Sequence, residues 1–98
     1  MNKYMATIIL PEELTEEFIS LIPKQRSAVY GLLKKNIILN YSLALDRSKL
    51  WICFNAKDDA QVNKVIQKFH LYKFMKVKID ELAFVESKAM NFPELVWN

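Results

Sequence analysis

The sequence predicts an α+β fold of the ferredoxin-like kind. Its elements run strand, helix, strand, strand, helix, strand (βαββαβ), which gives one antiparallel sheet with two helices on one face. Two segments with two-residue alternation, 37–46 and 74–82, mark strands half facing a core. Two segments with apolar residues at helical spacing, within 11–36 and 58–69, mark the helices. The chain of 98 residues holds one hydrophobic core, so these elements share it.

Each element has its own signal. Tyr4 to Leu10 (YMATIIL) is short, apolar and stopped by Pro11, as expected of a buried strand. In the stretch from Pro11 to Asn36, Leu14, Phe18, Leu21 and Ile22 recur at helical spacing, and Val29, Leu32 and Leu33 follow after a gap. Proline lacks a backbone donor and its ring collides with the preceding turn. The pattern therefore predicts a short helix to about Ile22, a break, and a second helix from Pro23 to Lys35–Asn36, with Pro23 in its first turn. Lys34 and Lys35 in the last turn complement the helix dipole.

Segment 37–46 (IILNYSLALD) places Ile37, Leu39, Tyr41, Leu43 and Leu45 on one face. Ile38, Asn40, Ser42, Ala44 and Asp46 take the other. Asp46-Arg47-Ser48-Lys49 reads as a turn opened by an aspartate. KLWICFNA returns as the next strand. A hairpin over Arg47-Ser48 would pair Leu45 with Leu50, Leu43 with Ile52 and Tyr41 with Phe54. Asp58, with Gln61 three residues on, caps a helix whose buried stripe is Val62, Val65, Ile66 and Phe69. After a connector, 70–73, the last strand is Phe74 to Leu82, with Met75, Val77 and Ile79 opposite Lys76, Lys78 and Asp80. This domain spans 1–85. The tail 86–98 carries Met90, Phe92, Leu95, Val96 and Trp97, and is expected to dock on its own domain or on a partner.

The scarce residues exclude whole classes of chemistry. One Cys (Cys53) leaves no internal disulfide and no Cys-x-x-Cys site. One His (His70) excludes a multi-histidine zinc centre within a chain. One Gly (Gly31) excludes phosphate-cradling glycine loops. No cofactor and no metal are expected. The net charge of +3 is spread over scattered lysines, which reads as solvated faces. No apolar run approaches the roughly 20 residues of a membrane span, and the start, MNKYMATIIL, lacks the pattern of a secretory signal. Neither membrane nor nucleic acid is expected as a partner, and the expected location is the cytoplasm.

Parity places Asn40, Ser42, Ala44, Trp51, Cys53, Asn55, Lys76 and Lys78 on the sheet face away from the helices. A tryptophan on such a half-polar face asks for cover. The expectation is a homodimer or higher homo-oligomer whose sheets pack together around a partly polar space. A monomer with one solvated face is the alternative.

The segment IQKFHLYKFMKVKIDEL (Ile66 to Leu82) resembles the muconolactone isomerase-like family. The likeness lies in a helix end, a connector carrying Leu71, Phe74 and Met75, and an alternating last strand. Leu10-Pro11 closing the first strand and the element order over residues 4–85 are similar too. The family often has proline where His70 stands. The resemblance implies a dimeric α+β barrel and a cofactor-free isomerase that shifts a double bond in a small unsaturated lactone acid. Such a reaction needs a base, an acid, and a donor or cation for the carboxylate or enolate.

The side chains able to serve are few. His70, Tyr41 and Asp80 are the candidates for proton transfer. Each also has a plain role: a solvated or C-capping histidine, a core tyrosine with its hydroxyl at the rim, and half of a surface ion pair. Arg47 can clamp a carboxylate, or stand exposed on a turn. Lys76 and Lys78 can hold an anionic small-molecule ligand, or guard an edge strand. Trp51, Asn40 and Ser42 would line a pocket on the open face. Cys53 reads as a small buried hydrophobe.

Three functions compete at this level. One is the isomerase, a second is a non-catalytic dimeric small-molecule-binding or interaction module, and a third is RNA binding on the same element order. The last is disfavoured, because KLWICFNA offers Trp51 without glycine or a second exposed aromatic. A cavity holding His70 or a carboxylate beside a cation would favour the enzyme. One walled by apolar side chains would favour binding.

Overall fold

A computed structural model describes residues 1–88. The elements are β1 (Asn2–Ile9), α1 (Glu16–Lys34), β2 (Ile38–Leu43), β3 (Lys49–Ala56), α2 (Asp59–Gln67) and β4 (Lys76–Leu82). A single 3-10 turn, Tyr72–Phe74, precedes β4. The sheet has the order β2-β3-β1-β4 and every neighbouring pair is antiparallel. The βαββαβ order on this sheet makes the chain α+β and compatible with a ferredoxin-like fold. The expected docking of the tail falls almost wholly on residues 89–98, outside the described residues.

The core lies between the helices and one sheet face. Tyr4, Ala6 and Ile8 alternate inward along β1, opposite Phe54, Ile52 and Leu50 of β3. Val77 and Ile79 of β4 share that face beside Ile8 and Ala6. Val29 of α1 and Val62 and Ile66 of α2 close over it, with Phe69 just past α2. Burying each large side chain here is worth about 1.5–3 kcal/mol.

Four expectations give way to the structure. First, α1 runs unbroken for 19 residues through Pro23. Pro23 and Ile19, whose carbonyl it leaves without a helical donor, are both exposed, so the missing hydrogen bond falls on the solvent side of the helix rather than in the core. The helix also begins later than Pro11. Thr15 is its N-cap and accepts from the N–H of Phe18 at 3.2 Å, ahead of Glu16 and Glu17 in the first turn. Its other end is a Schellman motif. Asn36, at φ 61°, donates to Leu33, and Ile37 donates to Leu32.

Second, the β2–β3 hairpin is slid by two residues. Leu43 faces Leu50 and Tyr41 faces Ile52. The connection runs over Leu45 to Ser48 because Ala44 closes it by donating to the Lys49 carbonyl at 2.9 Å. Arg47 takes φ 65° at the tip. Third, an irregularity between Ile38 and Asn40 inserts one extra residue. It turns Ile38, rather than Ile37, into the core beside Phe54. Fourth, β4 starts at Lys76. Phe74 belongs to the 3-10 turn and meets Phe18 edge to face, with centroids 5.2 Å apart.

The second helix agrees with its cap signal. Asp58 accepts from the N–H of Gln61 at 2.8 Å, and Gln61 Oε1 accepts from the N–H of Lys57 at 2.8 Å.

Candidate functional site

Between α1 and the sheet lies a cavity of about 400 Å³. Its floor is Ile52 and Leu50 of β3, Tyr41 and Leu43 of β2, and Leu10 after β1. Its roof is Phe18, Ile22, Gln25, Arg26 and Val29 of α1, and Leu71 and Met75 form one end. Leu14 and Arg47 complete the rim. The cavity exists because β2 is an edge strand that reaches beyond the helical cover. Tyr41 is 41% exposed and Leu43 46%, although both point to the helix side.

Four of these side chains can hydrogen-bond. Gln25 is the only buried polar residue among the described residues, 6% exposed. Its Oε1 accepts from the N–H of Leu71 at 3.1 Å, and its Nε2 finds no acceptor among the described residues. Arg26 and Arg47 stand exposed at the rim, and neither has an ion-pair partner among the described residues. The acid next to Arg47 in sequence is already engaged. Asp46 accepts from the N–H of Ser48 at 2.9 Å and from its Oγ at 2.7 Å, which holds the Asp46 carboxyl below the usual range. Tyr41 adds a phenol. No described cavity-lining residue is a histidine or a carboxylate. The chemistry on offer is an apolar body flanked by two cations and one buried amide donor.

Of the sequence candidates, Tyr41 and Arg47 come together in this cavity. The others lie elsewhere. His70 is exposed in the turn after α2, and Asp80 is exposed on β4 opposite Met5. Lys76 and Lys78 are exposed on the same edge strand, opposite Ile9 and Thr7. Asn40 and Ser42 are exposed on the open face, beside Cys53 and Trp51 respectively. Trp51 is half-buried and lines a shallow depression near the hairpin tip with Ala44, Leu45 and Lys49. The depression lies on the opposite side of the sheet from the cavity. Among the described residues, no group of three His, Cys, Asp or Glu side chains is placed to hold a metal ion. No described helix is long and apolar enough to cross a membrane.

Gln25 and Arg26 carry no sequence-level assignment. Their signal was position. Phe18, Ile22, Gln25 and Val29 fall at i, i+4, i+7 and i+11, so a polar side chain sits inside the buried stripe of α1.

Comparison with profiles of known protein families finds no match, and no curated protein matches the chain in sequence.

Proposed function

We propose that this protein binds a small anionic molecule with an apolar body, seated between α1 and the sheet. The observation that carries the reading is the pair of guanidiniums, Arg26 and Arg47, with no ion-pair partner among the described residues, on the rim of a cavity walled mostly by apolar side chains. Such a site favours a carboxylate at the mouth and a hydrocarbon or aromatic body within. At about 30 Å³ per water-sized group, the space takes roughly a dozen non-hydrogen atoms. Calorimetry with octanoate and 1-octanol tests it. Octanoate should bind at least about tenfold more tightly, and Arg47→Gly should remove the difference. Binding of neither molecule would refute the reading.

The cofactor-free isomerase of the muconolactone isomerase-like type is a second reading. It is favoured by one placement: the Tyr41 phenol and the Arg47 guanidinium share the cavity, one able to trade a proton and the other to hold a carboxylate or enolate. His70 and Asp80 stand outside it. Exchange of the proton next to the carbonyl of an unsaturated lactone acid in D2O checks this. Exchange lost in Tyr41→Phe supports isomerisation. Tight binding without exchange leaves a binding module.

The open sheet face belongs to the same proposal. Ile9 is 48% exposed there, and Trp51 and Met5 are half-buried among Lys3, Lys49, Lys76 and Lys78. A second copy packing sheet to sheet would cover this apolar centre.

A further inference from the structure

We infer that the seam between two copies paired through their open sheet faces binds a molecule carrying several linked phosphate groups, held by Lys49, Lys76 and Lys78 of both copies. The inference rests on the dimer reading above, and it adds a site that neither copy completes alone.

The register fixes which side chains share this face. Lys3, Met5, Thr7 and Ile9 alternate outward along β1, because Tyr4, Ala6 and Ile8 point into the core. They face Asn55, Cys53, Trp51 and Lys49 on β3, and Leu82, Asp80, Lys78 and Lys76 on β4. Ile9 is thus flanked by Lys49 on one side and Lys76 on the other, with Lys78 beside Thr7. Lys3 donates to Asn55 Oδ1 at 3.0 Å, whereas Lys49, Lys76 and Lys78 have no ion-pair partner among the described residues. Four lysines on these three strands stand against one carboxylate, Asp80. Asp46 lines the depression with Lys49 at the hairpin end, but Ser48 already engages it.

Size forces these charges together. Four strands about 4.8 Å apart and up to eight residues long, at about 3.3 Å per residue, make a face of roughly 19 by 26 Å, or about 500 Å². A stable dimer buries about 800 Å² on each partner. The seam therefore takes in the whole face, lysines included. A two-fold interface sets the same patch on both sides. Four lysines from each copy, eight in all, then gather around one Asp80 from each.

Like charges at such a seam cost free energy that a multivalent anion returns. Lys76 and Lys78 stand on the edge strand β4, and Lys49 is the first residue of β3. Their stems can lie on Ile9 and Trp51 while the ammonium groups reach the margin of the seam. There an anion enters from water and keeps part of its hydration. Lysine takes phosphate oxygens as a point charge. Linked phosphates span ammonium groups on separate strands, which a chloride ion or a single phosphate does not.

Sedimentation over a dilution series gives the dimer dissociation constant in NaCl and in sodium tripolyphosphate at equal ionic strength. Tripolyphosphate should tighten the wild-type dimer at least about tenfold beyond NaCl. The double variant Lys49→Gln, Lys76→Gln should show two opposite effects. In NaCl at low ionic strength it should dimerise more tightly than the wild type, because repulsion is relieved. Its tripolyphosphate gain should shrink to about twofold or less. If the wild type dimerises and tripolyphosphate does no more than NaCl, the inference fails and the dimer reading stands. A gain retained in the variant, or a variant dimer no tighter than the wild type in NaCl, also overturns it. A single-chain mass under every condition overturns both. Should the variant not fold, the wild-type series alone decides. ATP in place of tripolyphosphate distinguishes the source: an equal or greater gain assigns a nucleotide, and a lesser one an inorganic chain.

Discussion

The Oε1 of Gln25 accepts the main-chain N–H of Leu71 at 3.1 Å, across 46 residues of sequence. This bond ties the middle of α1 to the connector after α2 and closes one end of the cavity. Gln25→Met removes the acceptor and strands the buried Leu71 N–H, while relieving the unpaired amide nitrogen. A net loss of about 1–2 kcal/mol is expected, or roughly 5–15 °C in Tm for a domain of this size. Hydrogen exchange provides a local check. The Leu71 amide should lose protection by more than the β1 and β3 amides do.

Arg47 occupies φ 65°, a conformation glycine reaches without steric cost. Arg47→Gly should therefore leave stability unchanged or raise it by up to about 1 kcal/mol in a denaturant melt. It should at the same time weaken octanoate binding about tenfold, as expected for loss of a charge-assisted contact. The opposite signs matter, since reduced binding in a protein that is no less stable cannot come from partial unfolding. Retained octanoate affinity in this variant would remove Arg47 from the site.

The strands were legible in the sequence because parity survives error. The hairpin is slid by two residues from the expected pairing, and a two-residue slip keeps every side chain on its face. Tyr41 thus reaches the cavity although it faces Ile52 rather than the expected Phe54. The irregularity near Leu39 was not legible, because Ile37, Ile38 and Leu39 are all apolar and any of them could turn inward. The expected break at Pro23 follows from the hydrogen bond a proline removes, yet Pro23 falls outside the stripe from Phe18 to Val29, on the side that meets water. Gln25 was overlooked for the opposite reason: its polarity suggested solvent, while its place in the stripe from Phe18 to Val29 required burial.

Gly31 is the chain's single glycine and lies inside α1, where a Cβ would meet nothing within 4 Å among the described residues. Nothing about the position requires glycine, since its φ is not positive. Gly31→Ala should raise stability by about 1 kcal/mol, mainly by restricting the unfolded chain. A rise of roughly 4–8 °C in Tm would agree with that. A fall would mean that this surface of α1 touches something beyond the described residues.

Cys53 is 1% exposed, and burial pushes its thiol above the ordinary value of 9.0, with Lys3 pulling partly back. The sign of the pH dependence follows. Above the ordinary thiol range the unfolded chain loses this proton before the folded one does, so stability declines as pH rises toward the folded value. Tm should fall above about pH 9 more steeply in the wild type than in Cys53→Ala. Alkylation should likewise be slow at pH 8 and rapid in denaturant. Fast labelling of the native protein would contradict the burial.

Trp51 stands on the open sheet face opposite Thr7 and Ser42. If a second copy covers this face, the indole lies near the centre of the interface, where large aromatics carry most of the binding free energy. Light scattering at micromolar concentration should then return twice the 11.5 kDa chain mass. Trp51→Glu should weaken association by at least about thirtyfold, the effect of losing a 2 kcal/mol hot spot. Octanoate binding should survive in that variant, because Trp51 lies across the sheet from the cavity. A wild-type mass of one chain would reject the dimer and leave the cavity untouched.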